Sequence, residues 1–307
     1  MADEVIDPSR LQAALEIAEA EEGPRRRLSG PLEKGVSGLA VALSLLSLYW
    51  AYGTVTAQIQ RLAFLGFALV LSFLLYPAWG KRAPARVTGL DWVLVGAGVL
   101  VVCYPFWDFE EFIYRAALPT TADQVFGALA ILLILEATRR TTGWILPVTA
   151  IGFLAYAWAG ASLPSPWTHK GYGLDRLVGH MYLTLEGIFG VPIDVASTFI
   201  ILFTIYGAVL EYSKAGEFFV NFSLAATGGK ATGAGRTVTL ASFLLGGPSG
   251  SGVATTVTLG SVVWPMLAKA GYDKASAGGL LAAGGIGAII SPPVLGAAAF
   301  LIAEFLK

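Results

Sequence analysis

The residues best suited to chemistry stand close together late in the chain: Gly247, Ser249, Gly250, Ser251, Gly252, Thr255 and Thr256 in the run G-G-P-S-G-S-G-V-A-T-T, then Ser291, Pro292 and Pro293. Glycines allow positive φ and let a ligand approach the main chain. A helix starting just after this run would add unpaired N–H groups and the positive end of its dipole, which suit an anion. Hydroxyl and carbonyl oxygens suit a hard cation such as Na+, with Ser249, Gly250 and Ser251 as its candidate ligands. Paired prolines cannot donate to a helical ladder, so a helix through Pro292 and Pro293 must break. The pattern predicts a binding site made from interrupted backbone, not from titratable side chains.

The same serine invites a second chemistry. Gly247, Pro248, Ser249 and Gly250 spell G-x-S-G, the nucleophile pattern of rhomboid-type intramembrane serine proteases, but that chemistry needs a histidine base within hydrogen-bond reach. His169 and His180 both fall outside the apolar stretches, where structural roles are expected of them, so the chain is not expected to be an enzyme. Glu136 is an acid in an apolar stretch, yet Arg139 and Arg140 follow three and four residues on, which predicts a snorkelling surface ion pair. Asp194 is expected to cap a helix and Glu211 to lie at its far end. The single cysteine, Cys103, excludes an internal disulfide, offers no metal cluster and is expected to be a buried thiol. No cofactor is expected beyond a coupling ion, Na+ or H+.

The elements that position such a site must cross a membrane. The chain is 55% hydrophobic and 13% charged, against roughly 25% charged in an ordinary soluble domain, and its mean hydropathy is +0.68. A net charge of -1 leaves no global footing for nucleic acid. A span needs about 20 mostly apolar residues, and six windows meet this: 36–53, 61–79, 90–107, 123–138, 143–161 and 194–213. Residues 174–187 are too charged and short to cross and carry their apolar residues on one face, which predicts an interfacial helix. Residues 9–22 read as an amphipathic cytoplasmic helix. With the N-terminus inside, Arg10, Arg25–Arg27, Lys34, Lys81, Arg82, Arg86, Arg139, Arg140 and Lys214 are cytoplasmic, leaving Arg61, Arg115, Lys170 and Arg176 outside.

After Lys214 the simple crossings stop. Two basic loops, 228–236 and 269–274, flank a stretch too short for two full crossings and a turn. A re-entrant hairpin over 236–268 fits, two half-length helices with a tip at 246–252, followed by a broken helix over 276–306. Irregular backbone in the membrane is tolerated only in protein or beside a polar cavity, and tandem breaks of this kind build midplane sites in secondary transporters. Close packing through small residues is the plainer reading of the same glycines. The expected fold is an all-α polytopic membrane protein: about six transmembrane helices, a re-entrant hairpin and a discontinuous final helix.

At these residues the sequence resembles a known family. G-G-P-S-G-S-G-V-A-T-T-V-T-L-G-S, P-M-L-A-K-A-G-Y and S-P-P-V-L-G-A-A-A-F-L-I-A-E, with L-E-A-T-R-R-T-T-G-W-I-L-P upstream, are similar to the large-subunit permease of TRAP transporters, in particular the fused permeases of the TAXI subfamily. The resemblance implies a cytoplasmic segment at 1–34, a small-subunit-like four-helix region at 35–141 and the first part of the large-subunit permease at 142–307. It further implies elevator-type, ion-driven uptake of small organic anions across the bacterial inner membrane, fed by a periplasmic substrate-binding protein. Gly247, Ser249–Gly252, Thr255, Thr256 and Ser291–Pro293 would then line an ion and substrate site. The family carries two inverted repeats, and S-G-S-G and P-P-V-L-G each occur once here, so a second permease half is an expected partner. A non-transporting scaffold subunit is the alternative.

Overall fold

The computed structural model describes residues 25–79, 86–213, 215–227, 233–249, 252–290 and 296–306, and all of its regular structure is helical. The expected helix over 9–22, the tip residues Gly250 and Ser251, and Ser291, Pro292 and Pro293 lie outside the described residues. The chain divides into two compact units, one running to Ser197 and one from Thr198.

The first unit opens with α1 (Pro31–Tyr52), α2 (Ala57–Leu75) and α3 (Gly89–Cys103), then a short α4 (Phe109–Tyr114) between two 3-10 turns. It continues with α5 (Thr121–Thr142), α6 (Ile145–Ala159), α7 (Leu174–Leu183) and α8 (Val191–Val195). Among the described residues, six stretches are long and apolar enough to cross a bilayer: Pro31–Tyr52, Ala57–Leu75, Gly89–Ala117, Thr121–Thr142, Ile145–Ser162 and Val191–Leu210. They correspond to the six windows read from the sequence. In α6 only Pro147 is buried, while Ile145, Val148, Phe153 and Trp158 are exposed. A helix that is apolar all round with its apolar side chains uncovered belongs in lipid.

The core of this unit is a stripe on α2, Leu62, Leu65, Leu69 and Phe73, packed with Val101, Phe112, Leu133 and Tyr182. Gly127 lets α7 lie directly on α5, since a Cβ there would fall on Val178 Cγ1. Pro105 has no N–H to give the Val101 carbonyl, and the Tyr182 hydroxyl donates to that carbonyl instead, at 2.5 Å. Burial pushes the Tyr182 phenol well above the ordinary tyrosine range. Tyr182→Phe leaves that carbonyl without a donor and should lower stability by about 1–3 kcal/mol, measurable as a lower unfolding temperature in detergent.

Charge separates cleanly along this unit. Among the described residues, the end holding the starts of α1 and α3 and the finish of α5 carries seven basic residues (Arg25, Arg26, Arg27, Lys34, Arg86, Arg139, Arg140) against Glu33, Asp91 and Glu136. At the other end four basic residues (Arg61, Arg115, Lys170, Arg176) face seven acids, among them Asp108, Asp123 and Asp194. Each end is tied by a capping box: Thr88 with Asp91 starts α3, and Thr120 with Asp123 starts α5. Asp123 also accepts from Tyr104 Oη at 2.8 Å and Arg115 Nε at 2.9 Å, joining the end of α3 to the start of α5.

Three expectations need correction here. Cys103 is exposed on the outer face of α3 rather than buried. Asp194 is not a cap, because α8 starts after Gly190, and the carboxylate pairs with Arg61 at 2.9 Å. The second span starts at Ala57 rather than at 61, because Gln58, Gln60 and Arg61 bond to Leu183 O, Ser197 O and Phe189 O. His169 has the structural role expected of it: Nε2 lies 3.0 Å from Tyr156 O and Nδ1 accepts from Gly171 N at 3.1 Å.

The second unit holds α9 (Ile201–Tyr212), α10 (Ala215–Thr227), α11 (Gly233–Ser249), α12 (Gly252–Lys269), α13 (Lys274–Ile290) and α14 (Gly296–Phe305). Its core joins Val220 of α10, Val238, Ala241 and Leu245 of α11, Leu259, Val263 and Leu267 of α12, and Ala277 and Leu281 of α13. The sequence reading passed over α10, whose Glu217, Asn221 and Ser223 interrupt its apolar pattern.

Candidate functional site

The expected hairpin is formed by α11 and α12, and α13 packs on both arms. Its arms contain 17 and 18 residues, or about 25 and 27 Å at 1.5 Å per residue. They are longer than the half-length helices expected. Gly246, Gly247 and Pro248, read as part of the break, are the last turn of α11, because packing on neighbouring helices outweighs the poor helix propensity of glycine. Helix α11 ends at Ser249 and α12 starts at Gly252. Helix α13 ends at Ile290 and α14 starts at Gly296; the prolines at 292 and 293 lie outside the described residues.

Around the interruption, contact runs through glycine and hydroxyl. A Cβ on Gly285 of α13 would fall on Thr256 Oγ1 and 2.5 Å from the Gly252 carbonyl oxygen. A Cβ on Gly284 would meet Ser242 of α11. Thus α13 presses its bare backbone onto the first turn of α12 and the middle of α11. Thr256 Oγ1 donates to Gly252 O at 2.7 Å. With its proton engaged there, that oxygen keeps lone pairs for a cation. Thr255 is buried. Of the sequence-predicted site residues, Gly247 and Ser249 end α11 while Gly252, Thr255 and Thr256 start α12, which brings these five to one end of the hairpin.

At the opposite end, the foot of the hairpin, a cavity of about 750 Å³ is lined by Thr227, Arg236, Thr239, Phe243, Tyr272 and Leu280, among others. Tyr272 stands against Gly235, where a Cβ would lie 2.6 Å from its hydroxyl. Asp273 caps α13, accepting from the amides of Ala275 and Ser276 at 3.1 Å. The Ser276 side chain first, and then these amides, hold its carboxyl below the usual aspartate range. No group of three or more acid, histidine or cysteine side chains placed to hold a metal occurs among the described residues.

Sequence reasoning missed a buried ion network in the first unit. Asp91 accepts from Arg26 Nη2 and Arg140 Nη1, each at 2.6 Å, with all three side chains fully buried. Glu136 accepts from Arg139 and Arg140, each at 2.7 Å. The pairing of Glu136 with both arginines follows the sequence reading, but Arg140 does not snorkel to a surface. It turns inward to Asp91 and to the Tyr76 carbonyl at 3.2 Å. The available signal was the T-x-x-D pair at Thr88 and Asp91, which marks a cap and hence an acid with fixed geometry.

Comparison with known proteins agrees with this architecture. The family model for the tripartite ATP-independent periplasmic transporter, DctM component, matches residues 129–307. A Haemophilus influenzae protein that bears the name of a TRAP transporter large permease is 32% identical over 91 residues, 30% of this chain and 23% of that protein. The chain therefore spans about a quarter of the length of this curated relative. No solved structure gives a significant match. The family is one of transporters, not enzymes, and its matched region takes in both arms of the hairpin, α13 and α14. The chain is a multi-pass membrane protein and belongs to the DctM family of TRAP transporter permeases.

Proposed function

We propose that this chain is the membrane permease component of a TRAP-type secondary transporter of the TAXI subfamily. It takes up small organic anions, carboxylates first among them, from a periplasmic binding protein and is driven by a Na+ or H+ gradient. The observation that carries this reading is the placement of Thr255 and Thr256 at the first turn of α12, where Gly285 brings the backbone of α13 against the Thr256 hydroxyl and the Gly252 carbonyl. The N-terminus of α12 offers N–H groups to a carboxylate, and hydroxyl and carbonyl oxygens there offer ligands to Na+. Ser249, Gly250, Ser251 and the Ser291–Pro293 break complete the site in this proposal.

The arginine-rich end of the first unit faces the cytoplasm by the positive-inside rule, which puts the N-terminus inside and the multi-pass chain in the bacterial inner membrane. A second permease half, carrying the other inverted repeat, supplies the opposing hairpin. Proteoliposomes holding the chain together with that half should accumulate a labelled carboxylate only when a binding protein and an inward ion gradient are both present. Accumulation without a gradient would contradict ion coupling, and no accumulation in any combination would favour a scaffold subunit.

A further inference from the structure

We propose that the arginine-rich end of the first unit carries a seat for the phosphate of an anionic phospholipid, built by Trp79, Arg139 and Trp144. Arg139 sits in the last turn of α5. Its Nη2 donates to the Ala78 carbonyl at 2.9 Å, next to Trp79, and its guanidinium lies 5.3 Å over the Trp144 ring. Trp79 is 77% exposed and Trp144 63%. Exposed tryptophans at the end of a membrane helix sit at headgroup depth.

Among the described residues the charge at this place is positive after internal pairing. Arg26, Arg139 and Arg140 pair there with Asp91 and Glu136 alone, so three guanidinium groups are balanced by two carboxylates. Glu136 takes the Nε and Nη2 donors of Arg139 at 2.7 and 2.8 Å. The Nη1 donors of Arg139 have no acceptor among the described residues, and the side chain keeps 15% of its surface exposed. Beyond Trp79 the sequence runs on to Lys81, Arg82 and Arg86. A guanidinium over an aromatic ring with two N–H groups not taken by the protein suits a phosphate, and basic clusters at this end of membrane helices recruit anionic headgroups. Gly143, with φ +85°, makes the sharp exit from α5 that brings Trp144 back beside Arg139.

The test is native mass spectrometry of the purified full chain titrated with phosphatidylglycerol, phosphatidylcholine or inorganic phosphate. The wild type should retain phosphatidylglycerol over phosphatidylcholine by about fivefold, the ratio one basic side chain supplies at a membrane surface. Millimolar inorganic phosphate should not displace the lipid. The double variant Trp79→Ala, Trp144→Ala, which leaves the Arg139–Glu136 pair in place, should lose that preference, as should Arg139→Gln. Equal retention of the two lipids, an unchanged preference in the tryptophan variant, or displacement by inorganic phosphate would each overturn the proposal.

Discussion

An Asp91→Ala variant should lose about 3–5 kcal/mol of stability, the usual cost of stripping one partner from a buried ion pair. The carboxylate stands between Arg26 and Arg140, one oxygen for each guanidinium, and all three side chains are fully buried. Without it, the buried Arg26 has no carboxylate left, and Arg140 keeps only Glu136, which it shares with Arg139. The same substitution removes the Thr88 contacts at 2.8 and 2.9 Å that start α3, and the loss of a helix cap adds about 1 kcal/mol. Arg26 also holds the carbonyls of Phe73 and Leu74, both at 3.1 Å, so the end of α2 loosens with it. Thermal unfolding in detergent, followed by circular dichroism, reads the effect. A triple replacement Arg26→Met, Asp91→Leu, Arg140→Met should be far milder than Asp91→Ala, because neutral side chains leave no charge unpaired. An Asp91→Ala protein as stable as the wild type would mean that the buried network contributes nothing.

Gly285→Ala should abolish uptake by the assembled transporter and lower stability by about 1–3 kcal/mol, the range for forcing extra atoms into a packed interior. The added carbon falls on Thr256 Oγ1 and 2.5 Å from the Gly252 carbonyl. A carbonyl belongs to the backbone and cannot rotate aside, so the first turn of α12 must move off α13. Gly279→Ala is the internal control. It lies on the same helix with nothing within 4 Å of the added carbon, and alanine is favoured over glycine in a helix by about 1 kcal/mol. That change should leave uptake intact and raise the unfolding temperature. Similar behaviour of the two variants would remove the packing argument for the site.

Both variants bear on how far the sequence could be read. The six apolar windows were legible because a bilayer demands about 20 apolar residues whatever the fold around them. The helical hairpin was legible only in part: Gly246, Gly247 and Pro248 read as a break but form the last turn of α11, because packing on neighbouring helices outweighs the poor helix propensity of glycine. Which face of each span turns inward was not legible, since lipid-facing and core-facing positions are both apolar. Cys103 illustrates this: nothing in its apolar neighbourhood separates the outer face of α3 from the inner one. Small residues such as Gly127 and Gly285 carry that information, but only after their partners Val178 and Thr256 are known. The Asp91 network was hidden for another reason. Arg26 and Asp91 are 65 residues apart, and no local pattern names the arginine that a capping aspartate will meet. Helix α10 escaped because its polar residues resemble a loop until Val220 is seen packed in the core of the second unit.

The account rests on a chain that turns back between Ser249 and Gly252, so that both feet of the hairpin lie on one side of the membrane. Arg236 and Ala270 are exposed residues at those feet, and Arg236→Cys and Ala270→Cys can be made singly in a background where Cys103 is replaced by serine. A membrane-impermeant maleimide added to intact cells should label neither cysteine, and should label both once the membrane is opened. Labelling of only one of them from outside would place the feet on opposite faces and contradict the hairpin.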